Sequence, residues 1–208
     1  ERFAYPHPTL ANPERAEYGR MLAEILPGSL NVSYLVSGGS EAVETAFKLA
    51  RQAQLVRGNR DKYKIISVRD SYHGMTLAAL GASHNPVSQR HFVPMIPQWP
   101  HIRQYSDFDR PAGVSREEWG VHCAQALETA IHYEGPQTVA AFIATPHGCG
   151  PDYGVVPPVS YWQTIREICD RYEVLLIADE VVTGFGRTGR RFGMEHFGVV
   201  PDIMVLGK

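Results

Sequence analysis

Two residues near the end of this 208-residue sequence have the types and settings for covalent amine chemistry: Asp179, in the run VLLIADEVVTGFGRTG, and Lys208, which closes the run VPDIMVLGK. Asp179 follows an apolar stretch, so its carboxylate emerges from a buried strand and must find a partner, because burying an unpaired charge is prohibitive. A protonated pyridine nitrogen is one such partner. Capping of the next turn, or a pair with Arg187, is the structural alternative. Lys208 follows a second short apolar run and Gly207, a setting in which a desolvated amine becomes a nucleophile, whereas a fully solvated lysine would be silent. A lysine able to hold a carbonyl cofactor as a Schiff base, and an aspartate able to keep a ring nitrogen protonated, are what pyridoxal 5'-phosphate chemistry asks of a polypeptide.

Two further motifs suit the same ligand. In SGGSEAVE, Gly38 and Gly39 allow a tight turn and close backbone approach, Ser40 offers a hydroxyl, and the following helix would aim unpaired N–H groups and its positive end at a phosphate. A serine-capped helix with acidic Glu41 and Glu44 in its first turns explains the same residues without a ligand. No G-x-G-x-x-G lies here, which disfavours a dinucleotide fold. In SYHGMTLAALGAS, Tyr72 could lay its ring on a planar cofactor, with His73 and Gly74 shaping the turn; a surface turn is the plain alternative. Val181 would then lie against the cofactor's other face.

These motifs need a scaffold, and the pattern supplies one. Glu14 to Leu26 has helical spacing and stops at Pro27-Gly28. SYLV reads as a short extended run before SGGS, and from Glu41 onward Ala42, Val43, Ala46, Phe47, Leu49 and Ala50 form a helical face, with Glu44 and Lys48 spaced for an i,i+4 pair. KIISV, VAAFIA, VLLIA and IMVL read as strands, with a helix from Tyr161 to Tyr172 before VLLIA. Short apolar strands separated by helices predict an α/β fold: a three-layer αβα arrangement around a mostly parallel sheet, with ligands at the carboxyl ends of the strands. The stretch from His84 to Gly113, rich in Pro, His, Trp and Tyr, reads as a long ordered loop.

Composition narrows the partners. A formal net charge of −2 gives no basic field for nucleic acid, and no run of about eighteen apolar residues suggests a membrane span. Cys123, Cys149 and Cys169 are too few and too scattered for a disulfide framework or a zinc knuckle, so no metal is expected and a reducing cytoplasm is the expected setting. Both ends read as cut: Glu1 is neither an initiator methionine nor part of a signal peptide, and IMVLGK has the character of a domain interior. Residues 1–208 are therefore expected to form a single segment, most of the cofactor-binding large domain of a longer protein.

The segments HPTLANPE, SGGSEAVETAFKLARQ, SYHGMT, VPPVSYWQTIREICDRYEVLLIADEVVTGFGRTG and PDIMVLGK resemble the class III, omega-amino acid:pyruvate type, pyridoxal-phosphate-dependent aminotransferases. The likeness covers nearly the whole chain, and its last two segments are the family's most specific signature. It implies the aspartate aminotransferase fold (fold type I), with Gly39 and Ser40 on the cofactor phosphate, Tyr72 stacked on the ring, Asp179 on the pyridine nitrogen, Val181 beneath the ring and Lys208 as the Schiff-base lysine. It further implies ping-pong transfer of an amino group from an amine donor, one with a terminal or non-α amine, to a keto acid, in a homodimer with shared active sites. A racemase, epimerase or aminomutase of the same family would use the same residues, and a non-catalytic binding or assembly domain is a third reading. One departure stands out: Thr145-Pro146 occupies the place of a common Glu-Pro pair, which puts the family's usual handling of two substrates in doubt.

Overall fold

The computed structural model describes residues 12–148 and 154–208. They fall into two compact units, the first ending at Leu35 and the second running from Val36 to Lys208. In the first unit, helix α1 (Pro13–Ile25) starts where its sequence signals: Asn12 Oδ1 accepts the Glu14 and Arg15 amides at 2.9 and 3.2 Å, and Pro13 at the first position has its φ already set for a helix. Arg20 pairs with Glu17 at 2.7 Å and with Glu24 on the exposed face, and Leu22 is buried.

The SYLV run does not become a strand. Residues 31–36 have no regular structure, and Tyr34 is 67% exposed. β-propensity makes a strand only where a neighbour supplies a hydrogen-bond ladder, and no such neighbour pairs with this run among the described residues.

In the second unit five strands form one parallel sheet in the order β2-β1-β3-β4-β5. They are β1 (Lys64–Val68), β2 (His101–Ile102), β3 (Val139–Ala144), β4 (Leu175–Asp179) and β5 (Ile203–Val205). Every residue of β3 and β4 is buried, as expected for continuous apolar runs in a sheet covered on both faces. Alternation sorts the side chains. Ile66, Phe142, Leu176 and Ala178 pack with Leu127 and Ile131 of α5 (Arg116–Glu134) and Trp162 and Ile165 of α6 (Val159–Arg171). Ile65, Ala141, Ile143 and Ile177 pack with Val43, Phe47 and Ala50 of α2 (Gly39–Val56) and with Ala79 and Ala82 of α3 (Leu77–Ser83). The three-layer αβα architecture follows, and each buried aliphatic side chain contributes roughly 1.5–3 kcal/mol.

The structure departs from the pattern reading at three further places. The 84–113 stretch is not one loop: it carries a four-residue helix, α4 (Pro86–Gln89), two 3₁₀ turns and β2, which extends the sheet through Ser67↔His101 and Val68↔Ile102. A two-residue strand is too short to show a period. Helix α5 lacks a strong apolar face but begins with a capping box, Ser115 Oγ accepting the Glu118 amide at 3.2 Å and Glu118 Oε2 accepting the Ser115 amide at 2.9 Å. Glu44 does not serve Lys48; its Oε1 accepts the Ala78 and Ala79 amides at 2.9 and 3.3 Å, capping α3 from a neighbouring helix. Thr76, the N-cap of α3, makes no side-chain cap bond, and open helix amides attract a carboxylate more strongly than an exposed ammonium does.

The amino ends of the strands are stitched by buried polar side chains. Gln54 Nε2 donates to Ala140 O and Glu173 O at 3.1 and 2.7 Å, and Lys62 Nζ donates to Val139 O and Tyr172 O at 3.2 and 2.6 Å. Burial lowers the Lys62 pKa, with the nearby Glu173 charge acting against it. Among the described residues no helix is long and apolar enough to cross a membrane.

Candidate active site

The candidate residues collect at the carboxyl ends of the strands. β4 delivers Asp179, which is only 3% exposed. Its Oδ2 lies 2.7 Å from Nδ1 of the fully buried His73 side chain, and its Oδ1 accepts the Val181 amide at 3.1 Å. With the carboxylate ionised, Nδ1 carries the proton it donates. His73 belongs to the loop after β1 and is itself fixed: its amide donates to Ser83 Oγ at 2.8 Å, and that hydroxyl donates back to Ala79 O at 2.8 Å within α3. His73 Nε2 is buried without a partner among the described residues. Asp179 therefore does cap the turn that follows it, while Arg187 is engaged elsewhere, with Nη2 donating to the Lys208 carbonyl at 3.2 Å.

Val181 connects the first and last motifs. A Cβ added to Gly39 would lie 3.0 Å from Val181 Cγ1, and one added to Gly207 would lie 3.2 Å from the same atom. The two glycines thus make room for one isopropyl group, bringing the start of α2 and the residue before Lys208 against the same side chain. Register explains why the amine arrives here. Val205 of β5 pairs opposite Asp179, so Lys208, three residues on, is within about 10 Å of extended chain from that position.

The phosphate-type motif meets the tyrosine motif. Ser40 Oγ accepts the Met75 amide at 3.1 Å, and Gly74, at φ +130°, leaves space that a Cβ would fill 2.5 Å from that oxygen. The N-cap of α2, Gly38, offers no side-chain bond to the first-turn amides, and Glu41 turns away to accept the Ser37 amide at 2.8 Å. The start of an 18-residue helix without a side-chain cap carries the partial positive charge that attracts an anion. Tyr72, two residues before Gly74, is 40% exposed, leaving much of its surface open to solvent.

Lys208 is exposed, so the elements described here do not provide the desolvation that its sequence setting suggests. Thr145 Oγ1 donates to His147 O at 2.7 Å, a bond that folds the end of β3 onto its own loop. Cys149 lies outside the described residues. Sequence reasoning placed His73 only as a turn-former; its tie to Asp179 spans 106 positions, and no local signal marks it. Glu180, fully buried beside Asp179, likewise carries no local signal of a role.

Comparison with known proteins agrees with this geometry. The family model "Aminotransferase class-III" matches residues 4–208. The putrescine–pyruvate aminotransferase of Pseudomonas aeruginosa is 39% identical over 202 residues, covering 95% of this chain and 43% of that protein. The taurine–pyruvate aminotransferase of Bilophila wadsworthia is 41% identical over 204 residues, covering 96% and 43%. Among solved structures, a thermostable (S)-enantioselective omega-transaminase from Thermomicrobium roseum superposes with a TM-score of 0.89 at 40% identity over 98% of this chain and 45% of that one. The omega transaminase of Pseudomonas jessenii in complex with PMP gives 0.91 at 37% identity over 99% and 46%. The chain thus spans somewhat under half the length of these relatives. A family match over nearly every residue, and the same fold at this level of identity, agree with the meeting of four motifs at one end of a parallel sheet: the chain belongs to the class III aminotransferase family.

Proposed function

We propose that the whole protein is a pyridoxal 5'-phosphate-dependent transaminase acting on a donor whose amine is terminal or otherwise not α to a carboxylate, with a keto acid as acceptor. Relatives named for putrescine and taurine, each with pyruvate, support that donor class. Residues 1–208 would form most of its cofactor-binding large domain. The observation that carries the reading is the buried Asp179, held by His73 at 2.7 Å and standing opposite Val205 in the register that leads to Lys208.

The residues fit the cofactor. The uncapped start of α2 with Gly39 and Ser40 suits its phosphate, and the close packing of Gly39 and Gly207 on Val181 leaves a small apolar surface suited to one face of a flat ring. Tyr72 would cover the other face, Asp179 would hold the ring nitrogen protonated, and Lys208 would hold the cofactor covalently. When bound, such a cofactor supplies an electron sink for the bond being broken next to the substrate nitrogen. Once displaced from the cofactor by the donor's amine, Lys208 Nζ would be free to take the proton from the donor's amine-bearing carbon and return it on the far side of the nitrogen, as general base and then general acid. Asp179, oriented from one side by His73 and from the other by the Val181 amide, keeps a fixed negative charge where positive charge must persist, a preorganised contribution on the order of several kcal/mol.

The same reading makes the protein a homodimer with shared active sites. Met75, Leu77, Phe92, Val93 and Met95 are large apolar side chains left exposed on the segments around α3 and α4, the kind of surface a second subunit covers. Cys123 and Cys169 are free thiols, Cys169 pushed up to about 12 by burial, which suits a reducing cytoplasm. In the full-length protein, Lys208→Ala should abolish amine transfer and the visible absorbance of bound cofactor; turnover that survives the substitution would sink the assignment. A screen of amine donors, followed by keto-acid consumption, identifies the substrate.

A further inference from the structure

Glu180 sits next to Asp179 but is turned to other work. It is fully buried, its Oε1 accepting the Met194 amide at 2.8 Å and its Oε2 the Gly193 amide at 2.9 Å together with the Thr183 hydroxyl. Its own amide donates to Val205 O and its carbonyl accepts the Gly184 amide, each at 2.9 Å. One residue is thereby tied to β5, to the turn that follows Val181 and to the later turn at 193–194. The pocket is shaped around it: a Cβ on Gly193 would lie 2.9 Å from Pro146 Cβ and 3.2 Å from Glu180 Oε2.

A carboxylate this deeply buried persists only where donors meet it, and two of its three donors are main-chain amides that cannot swing away. We propose that Glu180 is a positioning residue for Asp179 and Val181, holding the end of β4 in the one rotation that aims Asp179 at His73 and lays Val181 against Gly39 and Gly207. Successive side chains leave a strand on opposite faces, so His73 anchors residue 179 on one side while Gly193, Met194 and Thr183 anchor residue 180 on the other. Turning the strand end requires both anchors to let go. The inference rests on the cofactor reading above, because what it positions is that site.

Glu180→Gln keeps the volume but not the acceptors. Gly193 and Met194 amides bind different oxygens, so the new NH₂ group must face one of them donor to donor. In the full-length protein, Glu180→Gln should keep its far-UV circular dichroism and still accept pyridoxal phosphate fixed by borohydride on Lys208. Its cofactor dissociation constant should rise about tenfold or more, the consequence of losing one hydrogen bond to a buried charge. The pH midpoint of the bound cofactor's visible band should move as well, and Glu180→Asp, which retains the charge, should recover part of both changes. A folded Glu180→Gln protein with wild-type affinity and an unmoved midpoint overturns the proposal. If that variant does not fold, Thr183→Val, which removes only the hydroxyl donor, decides: smaller shifts in the same direction support the role, and wild-type values overturn it. Wild-type protein that fails to fix pyridoxal phosphate on Lys208 overturns the cofactor reading and this proposal together, an outcome distinct from the failure of Glu180 alone.

Discussion

The bond between His73 and Asp179 can be tested without cofactor or substrate. His73→Phe replaces the imidazole with a ring of similar outline and removes the Nδ1–H that reaches Asp179 Oδ2 at 2.7 Å. The two side chains are 0% and 4% exposed, so water cannot readily replace the lost donor. Of the Asp179 partners seen here, only the Val181 amide on Oδ1 would remain. A hydrogen bond to a charged group contributes about 1.5–3 kcal/mol. The orphaned Nε2 of His73 offsets a little of this, since the substitution also removes a buried polar atom that has no partner. A net loss of about 2 kcal/mol should lower the melting temperature by roughly 4–8 °C for a unit of this size. The assay is thermal unfolding of the cofactor-free protein followed by circular dichroism, with His73→Asn as control, because its side-chain amide can present a donor near the Nδ1 position. His73→Asn should melt between His73→Phe and wild type. If His73→Phe melts within about 1 °C of wild type and His73→Asn does no better, the bond is idle and the reasoning fails.

Two other perturbations probe how the site is carried. Gly74→Ala puts a Cβ 2.5 Å from Ser40 Oγ at a φ of +130°, so it should destabilise the protein by about 2–3 kcal/mol and weaken cofactor binding through Ser40; an unchanged denaturant midpoint would contradict the contact. His101 is drawn from its ordinary 6.5 to about 4, first by burial and then by His84, whose ring lies 4.5 Å away, while its bond to the Gly81 carbonyl acts against the shift. An imidazole depressed in the folded state takes up its proton earlier in the unfolded chain. Its contribution is therefore present above about pH 6.5 and is lost as pH falls toward about 4, on the order of 3 kcal/mol in full. Urea unfolding across that range should show a fall in stability that His101→Gln lessens, and identical pH slopes for the two proteins would refute it.

Much of the scaffold was readable because it depends on near neighbours in the chain. KIISV, VAAFIA and VLLIA are short, mainly apolar runs, and they supply β1, β3 and β4, buried throughout except at the partly exposed Lys64. The α2 and α6 faces follow largely from spacing: Val43, Ala46, Phe47 and Ala50 are buried as the helical pattern selects, whereas Leu49 is exposed and the polar Gln54 is buried. SYLV has strand-forming residues as well, but a ladder needs a second strand, and that is not a property of the run. His101–Ile102 shows the converse, a pair too short to be seen by pattern that becomes a strand because β1 is there to pair with it. In α5 the local signal is the S-x-x-E start, Ser115 to Glu118, and not the weak apolar period of the helix.

The sequence by itself determined the chemistry that is available: a carboxylate at the end of an apolar strand, a lysine after another, a glycine-serine helix start and a tyrosine in a turn. These are local statements, fixed by residue type and by what a short run of backbone can do. Tertiary structure decided which groups answer one another. It set His73 against Asp179 across 106 positions, gave Glu44 to α3 rather than to Lys48, packed Gly39 and Gly207 on Val181, and turned Glu180 away from the site to hold it from behind. The physical reason is that a buried polar group must be satisfied by whatever the fold brings beside it, and the parallel sheet, not the order of residues, chooses those neighbours.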